Sequence, residues 1–303
     1  MPRHGLLIVD KPGGPTSHDI VAAVRRHAAG LRVGHTGTLD PFATGVLPLC
    51  LGKATRLSRF LTSSRKVYAG SIRLGIATDT YDPEGRAIFE GSLDGISEEA
   101  IRGAAAEFLG TTLQTPPPYS ARKLAGLPSY RLAREGKIVI LPPTEVTVHW
   151  FEITQVRLPF VDFAIETSPG TYVRSIAHDM GRGLGCGGHL ATLRRIAVGP
   201  YLAQQAHTMA AIEHNAREGT LDSLIVPLRE VNIGIPSVTV TPAGEAAMGH
   251  GRDLTTTDLT GLPPAGIGAV RVQNQAGDLL GVAVPAEAPR SAGILRPSVV
   301  LMG

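Results

Sequence analysis

The irregular order of strand-like and helix-like segments is the feature that most constrains the fold of this 303-residue chain. Strand-length apolar or alternating stretches and helical patterns follow one another without the regular βαβ alternation that predicts a parallel sheet. We therefore predict an α+β fold. Because the chain exceeds the usual size of a single domain, we expect two domains, a large one over residues 1–235 and a small β-rich, barrel-like one over residues 236–303.

Capping signals predict where helices begin and end. Thr16 followed by Asp19 has the form of a capping box, and Gly30 lies where the C-cap of that helix belongs. Ser97 predicts the start of another helix, which ends at Gly110. Apolar patterns predict strands over about 5–10, 144–157, 160–168, 191–198, 238–241, 269–273, 279–284 and 298–301, two strands joined by a hairpin turn within 66–90, and helices over about 53–61 and 172–184.

Two segments break these patterns. Residues 34–51 are rich in glycine, proline and threonine, so we predict an irregular loop there, and loops of this kind often carry chemistry. Residues 111–143 contain several prolines with tyrosine, arginine and lysine residues between them. We predict that this second segment leaves the core and carries a basic, aromatic surface.

Composition narrows the class of protein. Hydrophobic residues make up 43% of the chain and charged residues 18%, which is the balance of a folded globular protein. The apolar runs are shorter than the ~20 residues of a membrane span and no signal peptide is recognisable, so we expect a cytoplasmic protein. Cys50 and Cys186 are far apart and lack metal-ligand spacing, so we predict reduced, buried thiols with neither a disulfide nor a metal site.

The distribution of charge predicts where an anionic partner would bind. The formal net charge is +3, which is compatible with a polyanion but weak as an indication on its own. Residues 236–303 hold four arginines against five acidic residues, so the excess positive charge lies in the first 235 residues. We expect any polyanion to dock mainly on the larger domain.

Residues 34–47, which begin Gly-His-Thr-Gly-Thr-Leu-Asp-Pro, contain a single carboxylate, Asp40. An aspartate before a proline is common in turns, where it binds nearby backbone amides. Glycines around one carboxylate also suit a loop whose backbone comes close to a ligand. The residues alone leave both interpretations open.

This segment resembles the signature of the TruB family, the tRNA pseudouridine-55 synthases, in which the aspartate of the motif is catalytic. That position is Asp40. The resemblance covers roughly residues 5–200 and implies a mixed, largely antiparallel sheet, with the tRNA T-arm as partner. The tail resembles, less sharply, a small PUA-like domain through residues 279–283 and 295–297. Other segments in the family's order are residues 7–12, 66–68, 73–75, 78–82, 119–121, 170–174 and 193–195.

The resemblance also assigns roles to single residues. Arg174 matches the arginine that pairs with the catalytic aspartate, and Tyr68 matches the active-site tyrosine. It places further residues at the substrate site, with Lys11 bracing the catalytic loop from beneath and the 111–143 insertion folding over bound RNA. These residues are His35, Tyr172, Leu193, Lys11, Arg122 and Lys123.

The implied reaction detaches uracil from the ribose, rotates it and reattaches it through C5, without a cofactor or a metal. An ionised carboxylate can act as a nucleophile towards C1′ or the base, or as a base at C2′, and the sequence does not choose among these routes. A nearby cation favours the charged form of a carboxylate in an apolar pocket. We expect the base to be flipped out of the T-loop before reaction.

Two other functions are compatible with parts of this pattern. The catalytic subunit of a guide-RNA-directed synthase would keep the chemistry and change the substrate, but the near-neutral tail and the long insertion argue against it. An RNA-binding or tRNA-folding protein would have no need of a carboxylate paired with Arg174 and Tyr68. We therefore predict a monomeric tRNA pseudouridine-55 synthase that requires no protein partner.

Overall fold

The computed structural model describes residues 4–120, 123–124, 127–128, 141–264, 266–286 and 293–302. No helix in these ranges is long and apolar enough to cross a membrane. The strands are β1 Gly5–Lys11, β2 Val33–His35, β3 Thr44–Leu51, β4 Lys66–Leu74, β5 Ile76–Thr78, β6 Ala87–Glu90, β7 Gly110–Gln114, β8 Lys123–Leu124, β9 Leu127–Pro128, β10 Thr144–Arg157, β11 Phe160–Thr167, β12 Gly188–Val198, β13 Tyr201–Leu202, β14 His207–Thr208, β15 Ile225–Pro227, β16 Ser237–Thr239, β17 Val270–Gln273, β18 Leu279–Pro285 and β19 Leu295–Val300.

A central mixed sheet organises the chain. Its main path runs β14-β1-β3-β12-β4-β11-β10-β7, with β2, β13 and β15 paired at its margins. Most neighbours are antiparallel, and the parallel pairs are β1 with β14 and β3 with β12. The α+β prediction and the prediction of a largely antiparallel sheet are both confirmed.

Most of the helices cover one face of this sheet, and the predicted N-terminal caps are confirmed. Thr16 and Asp19 form the capping box of the first helix, and Ser97 caps the third. The predicted ends at Gly30 and Gly110 are wrong, because the first helix ends at Arg25 and the third at Ala106, and Gly110 begins β7. Ile20, Val21 and Val24 of the first helix are buried against the sheet, as expected for an amphipathic helix. The helices are α1 Ser17–Arg25, α2 Ser58–Thr62, α3 Glu98–Ala106, α4 Val173–Gly183, α5 Met209–Arg217 and α6 Pro242–Gly249, and a 3₁₀ helix, Gly52–Leu57, precedes α2.

Residues 34–51 are not the continuous irregular loop that we predicted. β2 and β3 occupy both ends, and only residues 36–43 between them are irregular. Val46, Leu47 and Leu49 in β3 have no exposed surface, so burial outweighs the local turn signals. Pro48 lies within β3, and its carbonyl still accepts a hydrogen bond from the backbone of Thr36.

Residues 66–90 form three strands where we predicted two. Only β5 and β6 pair as a hairpin around the turn at residues 82–85, whereas β4 pairs with β11 and β12 in the central sheet. Gly75 separates β4 from β5 with φ +89°, a backbone conformation that glycine adopts without strain. The chain therefore changes sheets at this residue.

The C-terminal part is β-rich, as predicted, although in the described residues its strands form an open sheet. The order is β16-β17-β18-β19, and α6, which we did not predict, packs against β18 and β19. Side chains of this sheet join an apolar cluster with the far face of the central sheet. That cluster includes Leu6, Ile8, Val46, Leu57 and Leu61 together with Leu279, Val282, Val299 and Leu301.

β1 contributes to both apolar clusters of the central sheet. Leu7 and Val9 face the helices, and Leu6 and Ile8 face the C-terminal sheet. This alternation follows from the two-residue period of a strand. The irregular segment 36–43 lies at the end of the sheet where β1 finishes and β3 begins.

Candidate active site

Asp40 lies in the irregular segment, which is tied to the start of α1. The hydroxyl of Ser17 donates to the carbonyl of Leu39 at 3.0 Å and accepts from its amide at 2.9 Å. Leu39 is buried in the main core, so the residue before Asp40 is fixed. The Asp40 side chain keeps 31% of its surface exposed although protein atoms surround it closely, so part of the carboxylate is open to a ligand.

Arg174, in the first turn of α4, holds this carboxylate at two points. Its Nη2 donates to Oδ1 of Asp40 at 3.0 Å, and its Nε lies 2.9 Å from Oδ2. The Nε–H is not directed at that oxygen, so the second contact is an ion pair only. The guanidinium also donates to Oδ2 of Asp82 and to the carbonyls of Thr80 and Tyr119, at 3.0–3.1 Å. Buried Arg174 thus bridges two carboxylates.

Asp82 is a site residue that the sequence analysis did not find. The sequence placed it in a hairpin turn and in the family-like segment 78–82 but gave it no role. It does occupy a turn, where the Thr80 hydroxyl and the Glu84 amide donate to its Oδ1. Its side chain is buried, unlike that of Asp40. No local signal distinguishes a turn aspartate from the partner of an arginine 92 residues away. Only the fold brings the two together.

Opposing effects act on the ionisation of Asp40. Burial raises its pKa, Arg174 lowers it, and the negative charge of Asp82 raises it. The net direction is upwards from the ordinary value. A reaction that needs the ionised carboxylate should therefore lose rate as the pH falls through this raised pKa.

Tyr68 and Leu193 lie on adjacent strands beside the segment that carries Asp40. Tyr68 is in β4, 8% exposed, and pairs across the strands with Arg195 of β12. Leu193, also 8% exposed, faces Gly70, where a side chain would collide with the carbonyl of Thr192. This close approach allows β12 to lie against β4.

Lys11 lies beneath the segment that carries Asp40 and is fully buried. Its Nζ donates to the carbonyls of Pro12, Pro41 and Ala43 at 2.8–3.0 Å. Burial lowers its pKa to about 8, and the charge of Asp40 opposes that effect. Its contacts therefore support the segment, and none of its surface is open to a ligand.

The remaining predicted residues lie around this centre or outside the described residues. Nδ1 of His35 accepts from the Gly37 amide at 3.3 Å, and burial lowers the pKa of the imidazole. Tyr172 precedes α4, and both of its backbone polar groups bind the Gln114 side chain. Of the two residues in the insertion, Arg122 lies outside the described residues, and Lys123 begins β8, with its side chain outside them.

The described side chains suit acid–base or nucleophilic chemistry. No group of three or more His, Cys, Asp or Glu in the described part of the chain is placed to hold a metal ion. Cys50 and Cys186 are unpaired and buried, and burial raises the pKa of Cys50 to about 12. An aspartate held by a guanidinium and neighboured by a tyrosine can supply a nucleophile and a proton-transfer group.

Two family models together match residues 25–231. The model described as TruB family pseudouridylate synthase (N terminal domain) matches residues 25–173. The model described as tRNA pseudouridylate synthase B C-terminal domain matches residues 174–231. The boundary between the two matches falls at the start of α4. Asp40, Tyr68, Asp82 and Arg174 all lie within the matched residues.

Similar proteins and structures cover nearly the whole chain. The tRNA pseudouridine synthase B of Solibacter usitatus is 42% identical over 280 residues, which cover 92% of this chain and 94% of that protein. The Thermobifida fusca protein of the same name is 44% identical, covering 87% of this chain and 90% of that protein.

Among solved structures, a chain in the crystal structure of a Cbf5-Nop10-Gar1 complex is 27% identical with a TM-score of 0.78, covering 99% of this chain and 85% of that chain. One in an archaeal box H/ACA sRNP Nop10-Cbf5 complex is 26% identical with a TM-score of 0.76, covering 99% and 87%. The shared motifs, fold and extent of similarity lead to one conclusion. The chain belongs to the TruB family of pseudouridylate synthases.

Proposed function

We propose that this chain converts uridine 55 in the T-loop of tRNA to pseudouridine, with Asp40 as the catalytic carboxylate. The observation that carries this proposal is the Asp40–Arg174 contact, at a partly exposed point between the sheet and α4. The tRNA substrate is inferred from the similar proteins, which are named tRNA pseudouridine synthase B. An intramolecular exchange of bonds makes the enzyme an isomerase.

The bonds of the reaction balance without an external reactant. The N1–C1′ bond breaks, the C5–C1′ bond forms, C5 loses its proton and N1 gains one. Asp40 acts as the nucleophile or the base that makes the first step possible. Arg174 keeps it ionised and fixes its orientation, while Asp82 fixes Arg174 from the buried side.

Tyr68 has two parts in this scheme. Its ring stacks on the base that has been flipped out of the T-loop, and Leu193 lines the other part of the uracil pocket. Its hydroxyl takes part in removing the proton from C5 after reattachment. Its position in β4, beside the segment that carries Asp40, supports both roles.

Contacts with the tRNA extend beyond the flipped base. His35, at the start of the segment that carries Asp40, fills the space that the base leaves, and Tyr172 contributes to the pocket. Arg122, Lys123 and the other basic residues of the predicted 111–143 insertion contact phosphates, whereas residues 111–114 belong to β7 of the central sheet rather than to an excursion from it. Binding should therefore weaken as salt increases. The catalytic domain spans residues 1–235, and residues 236–303 form a PUA-like domain. The enzyme works in the cytoplasm as a monomer without a protein partner.

A guide-RNA-directed role is the alternative, because the similar solved structures include H/ACA and Nop10–Cbf5 assemblies. The identity with those chains is 26–27%, against 42–44% with the tRNA pseudouridine synthase B proteins reported above. This difference favours a tRNA substrate.

The direct test is to incubate the purified protein with an unmodified tRNA transcript and map pseudouridine along it. We expect one modified position, uridine 55, without added protein, guide RNA or metal. A transcript with cytidine at position 55 is the matched control and should remain unmodified. Absence of product from the first transcript, or product only when a guide RNA is added, would contradict the proposal.

A further inference from the structure

Arg195 is a fully buried cation directly beneath the candidate site. It lies in β12, is 1% exposed, and follows Arg194, whose side chain is instead partly exposed and paired with Asp10. The two side chains point to opposite faces because they are neighbours on a strand. Among the described residues, no carboxylate lies within ion-pairing distance of Arg195. The carboxylate whose charge acts on Arg195 is that of Asp40.

The guanidinium of Arg195 binds the backbone on both sides of Asp40. Nε donates to the carbonyl of Val46 at 2.7 Å, Nη2 to that of Gly37 at 3.1 Å and Nη1, more weakly, to that of Thr38 at 3.4 Å. Gly45 packs closely against the backbone of Arg195. A Cβ atom added to Gly45 would lie 2.2 Å from the carbonyl oxygen of Arg195. The segment that carries Asp40 therefore cannot move independently of Arg195.

The same guanidinium lies beside Tyr68. The two residues are paired across β12 and β4, so their side chains lie on the same face of the sheet, where each is within electrostatic reach of the other. Arg195 thus binds the segment that carries the carboxylate and lies next to the tyrosine assigned to the proton transfer. A lysine could not hold these partners in the same way, because its ammonium is a point charge without the planar fork of a guanidinium.

A buried charge without a carboxylate partner is unfavourable for stability, so its position calls for a functional reason. We infer that Arg195 is a positioning residue for the isomerisation, which acts through the Tyr68 hydroxyl and sets its place relative to Asp40. This inference rests on the proposed function. When the Tyr68 hydroxyl exchanges a proton with the base, the adjacent guanidinium stabilises negative charge on its oxygen.

A double-mutant cycle with Arg195→Lys and Tyr68→Phe tests the inference. The measurement is the single-turnover rate on saturating unmodified tRNA, with tRNA affinity and melting temperature recorded for each variant. We expect Arg195→Lys to lower the rate by about 10- to 100-fold and to change affinity less than about 3-fold. In the Tyr68→Phe background, the same change should lower the rate by less than about 3-fold, because the hydroxyl on which it acts has gone.

If Arg195 has a purely structural role, we expect a different result from the double-mutant cycle. If Arg195 only supports the segment that carries Asp40, its replacement lowers the rate by the same factor in the wild-type and the Tyr68→Phe backgrounds, and that result would overturn the inference. If Arg195→Lys does not fold at the assay temperature, Arg195→Met, which removes the charge but keeps much of the volume, replaces it in the same cycle. Equal losses in both backgrounds would again overturn the inference.

The matched control is Arg271→Lys in β17. Arg271 is only partly buried, but like Arg195 it donates to a backbone carbonyl, that of Arg229, and lies near a tyrosine, Tyr201. The Arg271→Lys substitution should lower the melting temperature and leave the single-turnover rate unchanged. Wild-type protein that forms no pseudouridine would refute the proposed function, whereas active wild-type protein with equal losses in the cycle refutes only the inference about Arg195.

Discussion

The two sheets of the molecule differ in what they bury. Around the segment that carries Asp40, the central sheet and its helices bury Lys11, Asp82, Arg174 and Arg195. In the described residues of 236–302, no charged or polar side chain is buried to that extent, and the interior is formed by aliphatic side chains such as Val270 and Leu295.

This contrast separates function from stability. Taking a charge out of water is costly unless the surroundings compensate for it, and replacing such groups by apolar ones often stabilises a protein. The central sheet keeps its buried charges next to a partly exposed carboxylate, where fixed charges assist chemistry. The C-terminal sheet has the apolar core that favours stability alone. Substitutions in the first region should change rates, and those in the second should change stability.

The largest effect should come from Asp40→Asn. The amide keeps the shape of the side chain and loses its charge, so we expect pseudouridine formation to fall by more than about 10⁴-fold while tRNA binding stays within a few-fold. Single-turnover assays and filter binding would measure both. The control is Asp162→Asn, which removes a surface carboxylate paired with Arg157 and should have no effect on rate. Turnover by the Asp40→Asn protein would remove Asp40 from the mechanism.

Tyr68→Phe should have the next largest effect. It keeps the ring for stacking and deletes the hydroxyl, so we expect near-normal tRNA affinity and a rate at least ~100-fold lower. Tyr68→Leu should impair both affinity and rate, since a stacked base contributes ~1–3 kcal/mol. A Phe variant with the wild-type rate would show that this tyrosine only packs.

Tyr201→Phe provides the control from the rear of the sheet. The Tyr201 hydroxyl donates to the carbonyl of Asn232 and accepts from its amide. Its loss should lower the melting temperature without changing the rate. If Tyr201→Phe slowed the reaction as much as Tyr68→Phe, the loss of rate in Tyr68→Phe could not be assigned to its position beside the segment that carries Asp40.

Asp82→Asn should have a moderate effect and change the pH dependence. Its negative charge raises the pKa of Asp40, so its loss should move the acid limb of the rate profile to lower pH. The maximal rate should fall roughly 10-fold, because Arg174 keeps its other contacts. A catalytic group displaced by an ångström can lower a rate by ~100-fold, so we expect a smaller displacement here. Asp79→Asn, in the same turn but bound to the Arg86 amide, should leave the profile unchanged. An acid limb that moved to higher pH would contradict this electrostatic account.

Leu295→Ala should have the smallest effect on rate and a large one on stability. Leu295 is buried between β18 and residue 254, so truncation should lower the free energy of unfolding by ~2–5 kcal/mol. The rate on saturating tRNA should stay within twofold at a temperature where the variant is folded. Leu262→Ala, at a position that is 73% exposed, is the matched control for denaturant unfolding. A slow but stable Leu295→Ala enzyme would mean that the C-terminal sheet takes part in catalysis.

Deleting residues 236–303 would be a less selective test. Leu279, Val282 and Leu301 share an apolar cluster with Leu6 and Ile8 of β1, so the deletion exposes part of the central sheet. We expect the truncated protein to lose stability as well as tRNA affinity. Point substitutions therefore distinguish binding from folding better than the deletion does.

Local chemistry explains which features could be predicted from the sequence. The capping box at Thr16 and the cap at Ser97 depend on residues three apart, so the pattern reveals them. Asp40 and Arg174 could be proposed because the resemblance assigns each of them a role. Asp82 and Arg195 also lie in family-like segments, but their contacts come only through the fold, from partners 92 and about 150 residues away. β3 was missed because its glycine and proline indicate a turn when burial is unknown.

The alternation along β1 makes one strand register serve both halves of the molecule. Leu7 and Val9 fill the core under the helices, Leu6 and Ile8 meet the C-terminal sheet, and Lys11 ends the strand beneath the segment that carries Asp40. Inserting or deleting one residue here would exchange the faces of every later side chain. Both cores and the support of the site would then be lost together, so this strand can change in side-chain size but not in length.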